Sequence, residues 1–232
     1  MALIVKICGL STEETVDAAL AAGADMVGFV LFPPSPRNVS LKRAAALAKR
    51  VRGKAETVAL IVDLHPGGVA QIADEMKPDW LQLHGRETPA RVGEVRTLFG
   101  GRIMKAIGVR LAGDVALADH YLPVVDRILF DAKAPEDSDR PGGHGRMFDW
   151  RLLRSRQIEA PFMLSGGIDT RNLADAIAIA RPLGVDVSSS VETTPGKKDA
   201  GLIRDFIRAA RRIDAGVSEL DKRASPRERS AS

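Results

Sequence analysis

Eight short runs rich in β-branched residues alternate with eight Ala-rich segments of helical period from one end of the chain to the other. This alternation is typical of βαβ units, in which helices cover a parallel sheet. The predicted strands span residues 3–7, 26–31, 57–62, 80–83, 102–106, 127–130, 161–164 and 185–188. The predicted helices span residues 12–22, 41–51, 68–76, 89–99, 111–121, 149–155, 171–180 and 200–214.

A weak internal repeat supports the count of eight units. Aspartates precede or open predicted strands at Asp25, Asp79, Asp126 and Asp186, with spacings of 54, 47 and 60 residues. Each step corresponds to two βα units of about 27 residues, so the whole chain has room for eight. The pattern therefore predicts an α/β protein, a single (β/α)₈ TIM barrel with eight parallel strands. The alternative, an open doubly wound sheet, usually has a glycine-rich turn after its first strand, and here that strand is followed by Cys8-Gly9-Leu10-Ser11.

The length and the apolar content indicate one domain with a short extension. The chain has 232 residues and is 45% hydrophobic, which is enough for one large core. We place the barrel domain at residues 1–214. Residues 215–232 are polar, carry mixed charge and are interrupted by Gly216 and Pro226, so we expect a C-terminal tail without fixed structure. A partner-binding tail is the alternative, but nothing in the sequence supports it.

The charge balance argues against nucleic acid and membrane partners. The 34 Lys and Arg residues exceed the 30 Asp and Glu residues only slightly, and ten aromatic residues offer few platforms for base stacking. The first apolar run is interrupted by Lys6, so it predicts neither a signal peptide nor a membrane span. A single cysteine fits a reducing compartment. We expect a cytoplasmic protein that acts on small molecules as a monomer or a homodimer.

Two loops near the end of the chain carry a phosphate-binding pattern. In parallel barrels, the loops after strands seven and eight commonly hold phosphate. The first contains Gly166 and Gly167, where backbone N–H groups can approach an anion closely. The second contains Ser189 and Ser190, which offer hydroxyl and amide groups at the start of a short extra helix. Each element alone could be an ordinary turn or helix entry, but their occurrence together at the last two strands predicts a phosphate site.

Cys8 and Asp131 are the candidate base and acid. Cys8 follows the first strand directly, and Lys6 points to the same side, so we expect the ammonium to favour the thiolate. Asp131 ends an apolar run and precedes a long polar loop suited to closing over a substrate. The alternatives are an inert buried thiol and an aspartate that only caps the next segment.

Further substrate contacts are expected from the loops after strands two, four and six. Arg37, on a proline-rich turn, could pair with a carboxylate, or it could be a solvated loop residue. His84 could contact the ligand or merely finish its strand, and without a second His or Cys at ligand spacing a metal site is not expected. In the loop after Asp131, we expect Gly143 and Gly145 to contact the substrate.

Taken together, these residues resemble the phosphoribosylanthranilate isomerase family of tryptophan biosynthesis. The resemblance runs from Lys6 to about Phe206. It rests on several separate motifs in the right order, namely Lys6-Ile7-Cys8-Gly9, Gly23-Ala24-Asp25-Met26-Val27-Gly28-Phe29, Ser35-Pro36-Arg37, Leu81-Gln82-Leu83-His84-Gly85, Phe130-Asp131, Phe148-Asp149-Trp150, Ser165-Gly166-Gly167, Val191-Glu192 and Pro195-Gly196-Lys197-Lys198-Asp199.

The resemblance implies an Amadori rearrangement of N-(5′-phosphoribosyl)anthranilate that requires no cofactor. It implies that Asp131 opens the sugar ring as an acid, that Cys8 removes the C2′ proton, and that Arg37 holds the anthranilate carboxylate. The chain departs from the family pattern at Ser190, where glycine is expected, and at His144, where threonine is expected.

Two other functions remain open from the sequence. Another phosphosugar barrel, such as an epimerase or an indole-forming synthase, would share the phosphate loops but need different catalytic groups. Metal-dependent epimerases require paired histidines and carboxylates, which His84 alone does not supply. A non-catalytic barrel that only binds a phosphometabolite would need neither Cys8 nor Asp131.

Overall fold

The computed structural model describes residues 2–135, 138, 141–143, 145, 147–154 and 160–224, and it describes side chains as far as residue 216. Eight parallel strands form a closed barrel in sequence order, and β1 pairs with β8. The strands are β1 (Ile4–Cys8), β2 (Met26–Val30), β3 (Glu56–Ile61), β4 (Trp80–Leu83), β5 (Arg102–Val109), β6 (Arg127–Ala132), β7 (Phe162–Leu164) and β8 (Gly184–Val187). The predicted (β/α)₈ barrel is confirmed.

Helices follow the strands around the outside of the barrel. They are α1 (Glu13–Ala22), α2 (Leu41–Val51), α3 (Pro66–Glu75), α4 (Pro89–Phe99), α5 (Ala112–Ala116), α6 (Ala118–Tyr121), α7 (Arg151–Arg154), α8 (Leu173–Ala180) and α9 (Ala200–Ala224). A short hairpin, β9 (Glu192–Thr194) and β10 (Lys197–Lys198), follows β8. Among the described residues, no helix is long and apolar enough to cross a membrane.

Two predicted helices differ from the structure by more than two residues at an end or are divided. The segment predicted as one helix over 111–121 is divided into α5 and α6, because the Leu117 N–H bonds to Asp114 O in a tighter turn at the junction. Helix α9 continues to Ala224, so ten residues of the segment expected as a tail are helical. Residues 225–232 lie outside the described residues, and the domain boundary stays a prediction.

Three of the repeated aspartates accept hydrogen bonds from a neighbouring strand near the amino ends of the strands. Asp25 accepts a hydrogen bond from Val5 N in β1 at 2.7 Å, and Asp126 accepts one from Ile103 N in β5 at 2.7 Å. Asp79 accepts from both the amide and the hydroxyl of Thr57 in β3, at 2.8 and 2.7 Å. The sequence repeat therefore reflects a repeated connection between paired strands.

The barrel interior changes from apolar at one end to polar at the other. Met26, Trp80, Met104, Leu129 and Met163 pack together in the apolar part. Nearer the carboxyl ends of the strands, the interior includes buried polar and charged side chains, namely Lys6, Gln82, Asp131 and Asp186. Buried charges are costly unless they are paired, so this end of the barrel is the candidate for chemistry.

Candidate active site

A pocket at the carboxyl ends of the strands brings together nine of the ten residues predicted for the site. They are Cys8, Arg37, His84, Asp131, Gly143, Gly145, Gly166, Gly167 and Ser189. Ser190 does not line the pocket, because its hydroxyl donates to Ile168 O at 2.6 Å. Ser190 thus connects the loop after β8 to the loop after β7.

Cys8 ends β1, and its side chain faces the pocket from a buried position. Gly28 on β2 makes room for the thiol, since a Cβ there would lie 2.9 Å from Sγ. Burial raises the pKa of Cys8 above its ordinary value of 9.0, while Lys6 acts in the opposite direction and Asp186 adds to the increase. Lys6 favours the thiolate, as expected, but burial outweighs the ammonium and the pKa of Cys8 is raised overall.

Lys6 is itself paired with a carboxylate, Asp186, which raises the pKa of Cys8 and so offsets part of the effect of the ammonium. Its Nζ lies 2.8 Å from Oδ1 of Asp186, and both side chains are buried. Asp186 lies within β8, unlike the other three repeated aspartates, and also lines the pocket. The sequence alone did not indicate a role for Asp186 in the site, because its pairing with Lys6 depends on β8 closing against β1.

Asp131 lies on β6, one residue before its end, and is 5% exposed. Its Oδ1 accepts a hydrogen bond from Ala132 N at 2.8 Å, and its Oδ2 lies 3.2 Å from Nε2 of His84. Each oxygen of the carboxyl thus has a polar neighbour that orients it, a backbone N–H for Oδ1 and an ionisable ring for Oδ2.

His84 is held between Asp131 and Gln82. Its Nδ1 lies 2.9 Å from Nε2 of Gln82, so an amide that donates there leaves the ring proton on Nε2, facing Asp131. Gln82 is fully buried, and its Oε1 has no hydrogen-bond partner among the described residues. The histidine therefore does more than finish its strand.

Arg37 is 6% exposed, which excludes the alternative of a solvated loop arginine. Its Nε and Nη2 donate to the two carboxylate oxygens of Glu192 at 2.7 and 2.8 Å. Lys198 Nζ contacts Oε1 of the same carboxylate at 2.7 Å. Glu192 and Lys198 belong to the motifs that carry the family resemblance, but the sequence indicated no role for either in the site. The Pro195-Gly196 pair between them is a turn signal that is consistent with the hairpin.

Of the two predicted phosphate loops, the one after β7 has the left-handed backbone conformation that glycine permits. Gly166 and Gly167 have φ values of +88° and +66°, and a Cβ at Gly166 would lie 2.5 Å from Ala132 N. The 3₁₀ turn Ser189–Val191 lies directly after β8. The glycine loop could receive an anion through backbone N–H groups without an intervening side chain, and the serine turn could add hydroxyl and N–H groups.

The described glycines of the loop after β6 cross the pocket. A Cβ at Gly142 would lie 2.7 Å from both Asp131 Oδ2 and His84 Nε2, and one at Gly143 would lie 2.5 Å from Arg37 Nη1. A Cβ at Gly145 would lie 3.4 Å from Ser189 Oγ. His144 lies outside the described residues.

No group of three or more His, Cys, Asp or Glu side chains that could hold a metal ion occurs in the part of the chain that the structure describes. The ionisable groups that line the pocket are a thiol, carboxylates, an imidazole and a guanidinium. The arrangement can therefore move protons and bind anions at one place.

Comparison with known proteins agrees with this geometry. The family model for N-(5′-phosphoribosyl)anthranilate isomerase matches residues 5–209. The curated isomerase of Nitrobacter winogradskyi is 55% identical over 219 residues, covering 94% of this chain and 97% of the relative. That of Afipia carboxidovorans is 56% identical over 221 residues, covering 95% and 94%.

Solved structures give the same assignment. The phosphoribosylanthranilate isomerase of Thermotoga maritima superposes with a TM-score of 0.81 at 35% identity, over 90% of this chain and 98% of the other. A phosphoribosylanthranilate isomerase in complex with reduced 1-(o-carboxyphenylamino)-1-deoxyribulose 5-phosphate has a TM-score of 0.78 at 32% identity, over 90% and 98%. The chain belongs to the N-(5′-phosphoribosyl)anthranilate isomerase family.

Proposed function

We propose that this chain catalyses the Amadori rearrangement of N-(5′-phosphoribosyl)anthranilate to 1-(o-carboxyphenylamino)-1-deoxyribulose 5-phosphate, with Asp131 as the acid and Cys8 as the base. The observation that carries the assignment is that Cys8 and Asp131 line one pocket together with Arg37 and the glycine loop after β7. Cys8 and Asp131 can transfer protons in this pocket, and Arg37 and the glycine loop can bind anions.

The first step is ring opening. The protonated Asp131 carboxyl donates its proton to the ring oxygen, the C1′–O bond breaks, and the nitrogen lone pair forms a Schiff base with C1′. The carboxylate that results is stabilised by a hydrogen bond from Ala132 N and by the His84 ring, whose Nε2 lies 3.2 Å from Oδ2.

The second step is proton abstraction. The Cys8 thiolate removes the C2′ proton, and the electrons of that C–H bond form an enolamine, which takes a proton at C1′ and loses one from its hydroxyl to give the ketone. The thiol and the carboxylate then exchange one proton through solvent, which restores the starting state. Each positioned group contributes about 10²–10⁴-fold to the rate, and no step requires a redox cofactor.

Two sites for negative charge would fix the substrate. Arg37 would hold the anthranilate carboxylate through the part of its guanidinium that Glu192 leaves open. Gly166 and Gly167 would offer backbone amides to the phosphate, with Ser189 on the opposite loop. His84, Gly143 and Gly145 would complete the contacts. Ser190 would act behind the site by connecting its two loops.

The test is turnover of substrate generated in situ, followed as loss of anthranilate fluorescence in the presence of a metal chelator. Wild-type turnover with at least a 10²-fold loss in both Cys8→Ser and Asp131→Asn would support the assignment. Folded wild-type protein that does not turn over the substrate would contradict it and favour another phosphosugar enzyme or a binding protein. Full activity in Cys8→Ser would require a different base.

The oligomeric state and the location are also proposals. One structural neighbour consists of monomers made from the dimeric isomerase of Thermotoga maritima, at 32% identity and a TM-score of 0.78. We infer a monomer or a homodimer, which light scattering would distinguish. A reducing, cytoplasmic location is supported by the single cysteine, Cys8, which is free.

A further inference from the structure

The hairpin after β8 is packed against the loop that carries Arg37. Its turn contains Gly196, with φ +86°, and a Cβ there would collide with the backbone oxygen of Pro36. The residue that follows Pro36 is Arg37. The hairpin and the arginine loop are therefore fixed relative to each other by a backbone contact that only glycine permits.

The same hairpin supplies a buried carboxylate to the guanidinium. Glu192, 3% exposed at its side chain, accepts from Nε and Nη2 of Arg37 in a two-point contact. Such a contact fixes the plane of the guanidinium as well as its position. Nη1 remains on the side of Gly143, which lines the pocket.

Lys198, on the second strand of the hairpin, holds Glu192 from the other side. Its Nζ contacts Glu192 Oε1 at 2.7 Å and Ser188 O at 2.9 Å, and its side chain is 1% exposed. Burial lowers the pKa of Lys198 to about 8, so this lysine is mainly protonated at neutral pH, and the three groups, two cations and one anion, carry one net positive charge. A carboxylate on the ligand would supply the missing anion.

We propose that Glu192, held by Lys198, is a positioning residue that orients Arg37 toward the carboxylate of the substrate and so determines the preference for a carboxylated aromatic amine. This inference rests on the proposed role of Arg37. Glu192 acts through the arginine and does not contact the reacting atoms.

The test compares two substrates that differ only in the carboxylate. N-(5′-phosphoribosyl)anthranilate and N-(5′-phosphoribosyl)aniline are assayed with wild type, Glu192→Gln and Arg37→Met. Hydrogen bonds to charged groups contribute enough for about a 10–100-fold effect. We expect Glu192→Gln to raise KM for the carboxylated substrate at least about tenfold, to change kcat less than about threefold, and to leave the aniline substrate unaffected.

The ratio of kcat/KM for the two substrates is the decisive readout. A fraction of unfolded protein lowers both values equally, so it cannot change the ratio. The double variant Glu192→Gln/Lys198→Met removes one anion and one cation and keeps the net charge of the three groups. We expect it to retain the lowered ratio of the single variant. Recovery of the wild-type ratio would assign the effect to uncompensated charge and overturn the positioning role.

The remaining outcomes separate this inference from the proposed function. If Arg37→Met lowers the ratio and Glu192→Gln does not, the carboxylate site stands and the role of Glu192 is wrong. If Arg37→Met affects both substrates equally, the assignment of Arg37 itself is wrong. If wild type turns over neither substrate, the proposed isomerase function fails.

Discussion

Nε2 of His84 lies 3.2 Å from Oδ2 of Asp131, so the candidate acid is in close polar contact with an ionisable ring that is itself held by Gln82. The contact connects the carboxyl ends of β4 and β6, which are not neighbours in the sheet. It fixes one oxygen of the acid while Ala132 N fixes the other.

Removal of this contact is expected to slow catalysis through Asp131. His84→Ala should lower kcat by about 10–100-fold, the range expected when a charged group loses a close polar partner. Because His84 acts through the carboxyl, the same substitution should cost much less in an Asp131→Asn background. Steady-state kinetics of the four proteins measure this coupling, and additive losses would contradict it.

His65→Ala is the matched control for His84→Ala. His65 is an exposed histidine that caps helix α3 by accepting from Gly68 N at 3.2 Å, away from the pocket. Its replacement should cost about 1 kcal/mol of stability and leave kcat unchanged.

The ionisation of Cys8 should follow from its burial. Because burial raises the pKa of this thiol above 9.0, the thiolate is the minor form at neutral pH and increases with pH through and beyond that value. The alkylation rate of Cys8 by iodoacetamide in the free protein should therefore still be rising at pH 9. A rate that reaches its plateau below pH 8 would contradict the raised pKa. Cys8→Ser, the chain having a single cysteine, should show no labelling.

We expect any side chain at Gly166 to displace the phosphate loop and weaken phosphate binding. In Gly166→Ala, the added methyl group would meet Ala132 N at 2.5 Å, and φ at this position is +88°. The loop must shift, so we expect inhibition by inorganic phosphate to weaken at least tenfold and KM to rise. Gly113→Ala is the control: it lies in helix α5 with open space around its Cβ, and the change should stabilise the protein by about 0.5–1 kcal/mol. Unchanged phosphate inhibition in Gly166→Ala would remove this loop from the phosphate site.

Asp79 should contribute to stability without affecting catalysis. Asp79→Ala leaves the buried amide and hydroxyl of Thr57 without their partner, which should cost about 1–3 kcal/mol in chemical denaturation. Asp17→Asn, which alters an exposed ion pair with Arg50, should change stability by less than about 0.5 kcal/mol. Activity per folded molecule should be unchanged in both. Loss of activity without loss of stability in Asp79→Ala would show that the connection between β3 and β4 shapes the site.

Much of the fold could be read from local sequence. Helices α2 and α4 have the predicted bounds, because each begins after a residue whose hydroxyl accepts from the backbone, Ser40 and Thr88. The segment over 111–121 was less predictable, because its N-cap residue, Leu111, makes no side-chain capping hydrogen bond. Packing against the barrel then decides where such a segment turns.

The positions of the candidate acid, base and glycine loops also follow from the sequence, since residues at the carboxyl ends of parallel strands meet at one edge. Which charged groups pair with one another does not follow from the sequence. Lys6 meets Asp186 across 180 residues, and Arg37 meets Glu192 across 155, only because the barrel closes between β1 and β8. The charge state of Cys8 likewise depends on its burial in the folded barrel, which its neighbours in the chain do not specify.

The sequence by itself determined the strand and helix order and the chemical groups at the carboxyl ends of the strands, because these depend on local periodicity. The tertiary structure decided which charges neutralise each other, because electrostatic energy depends on distance and desolvation in the folded barrel.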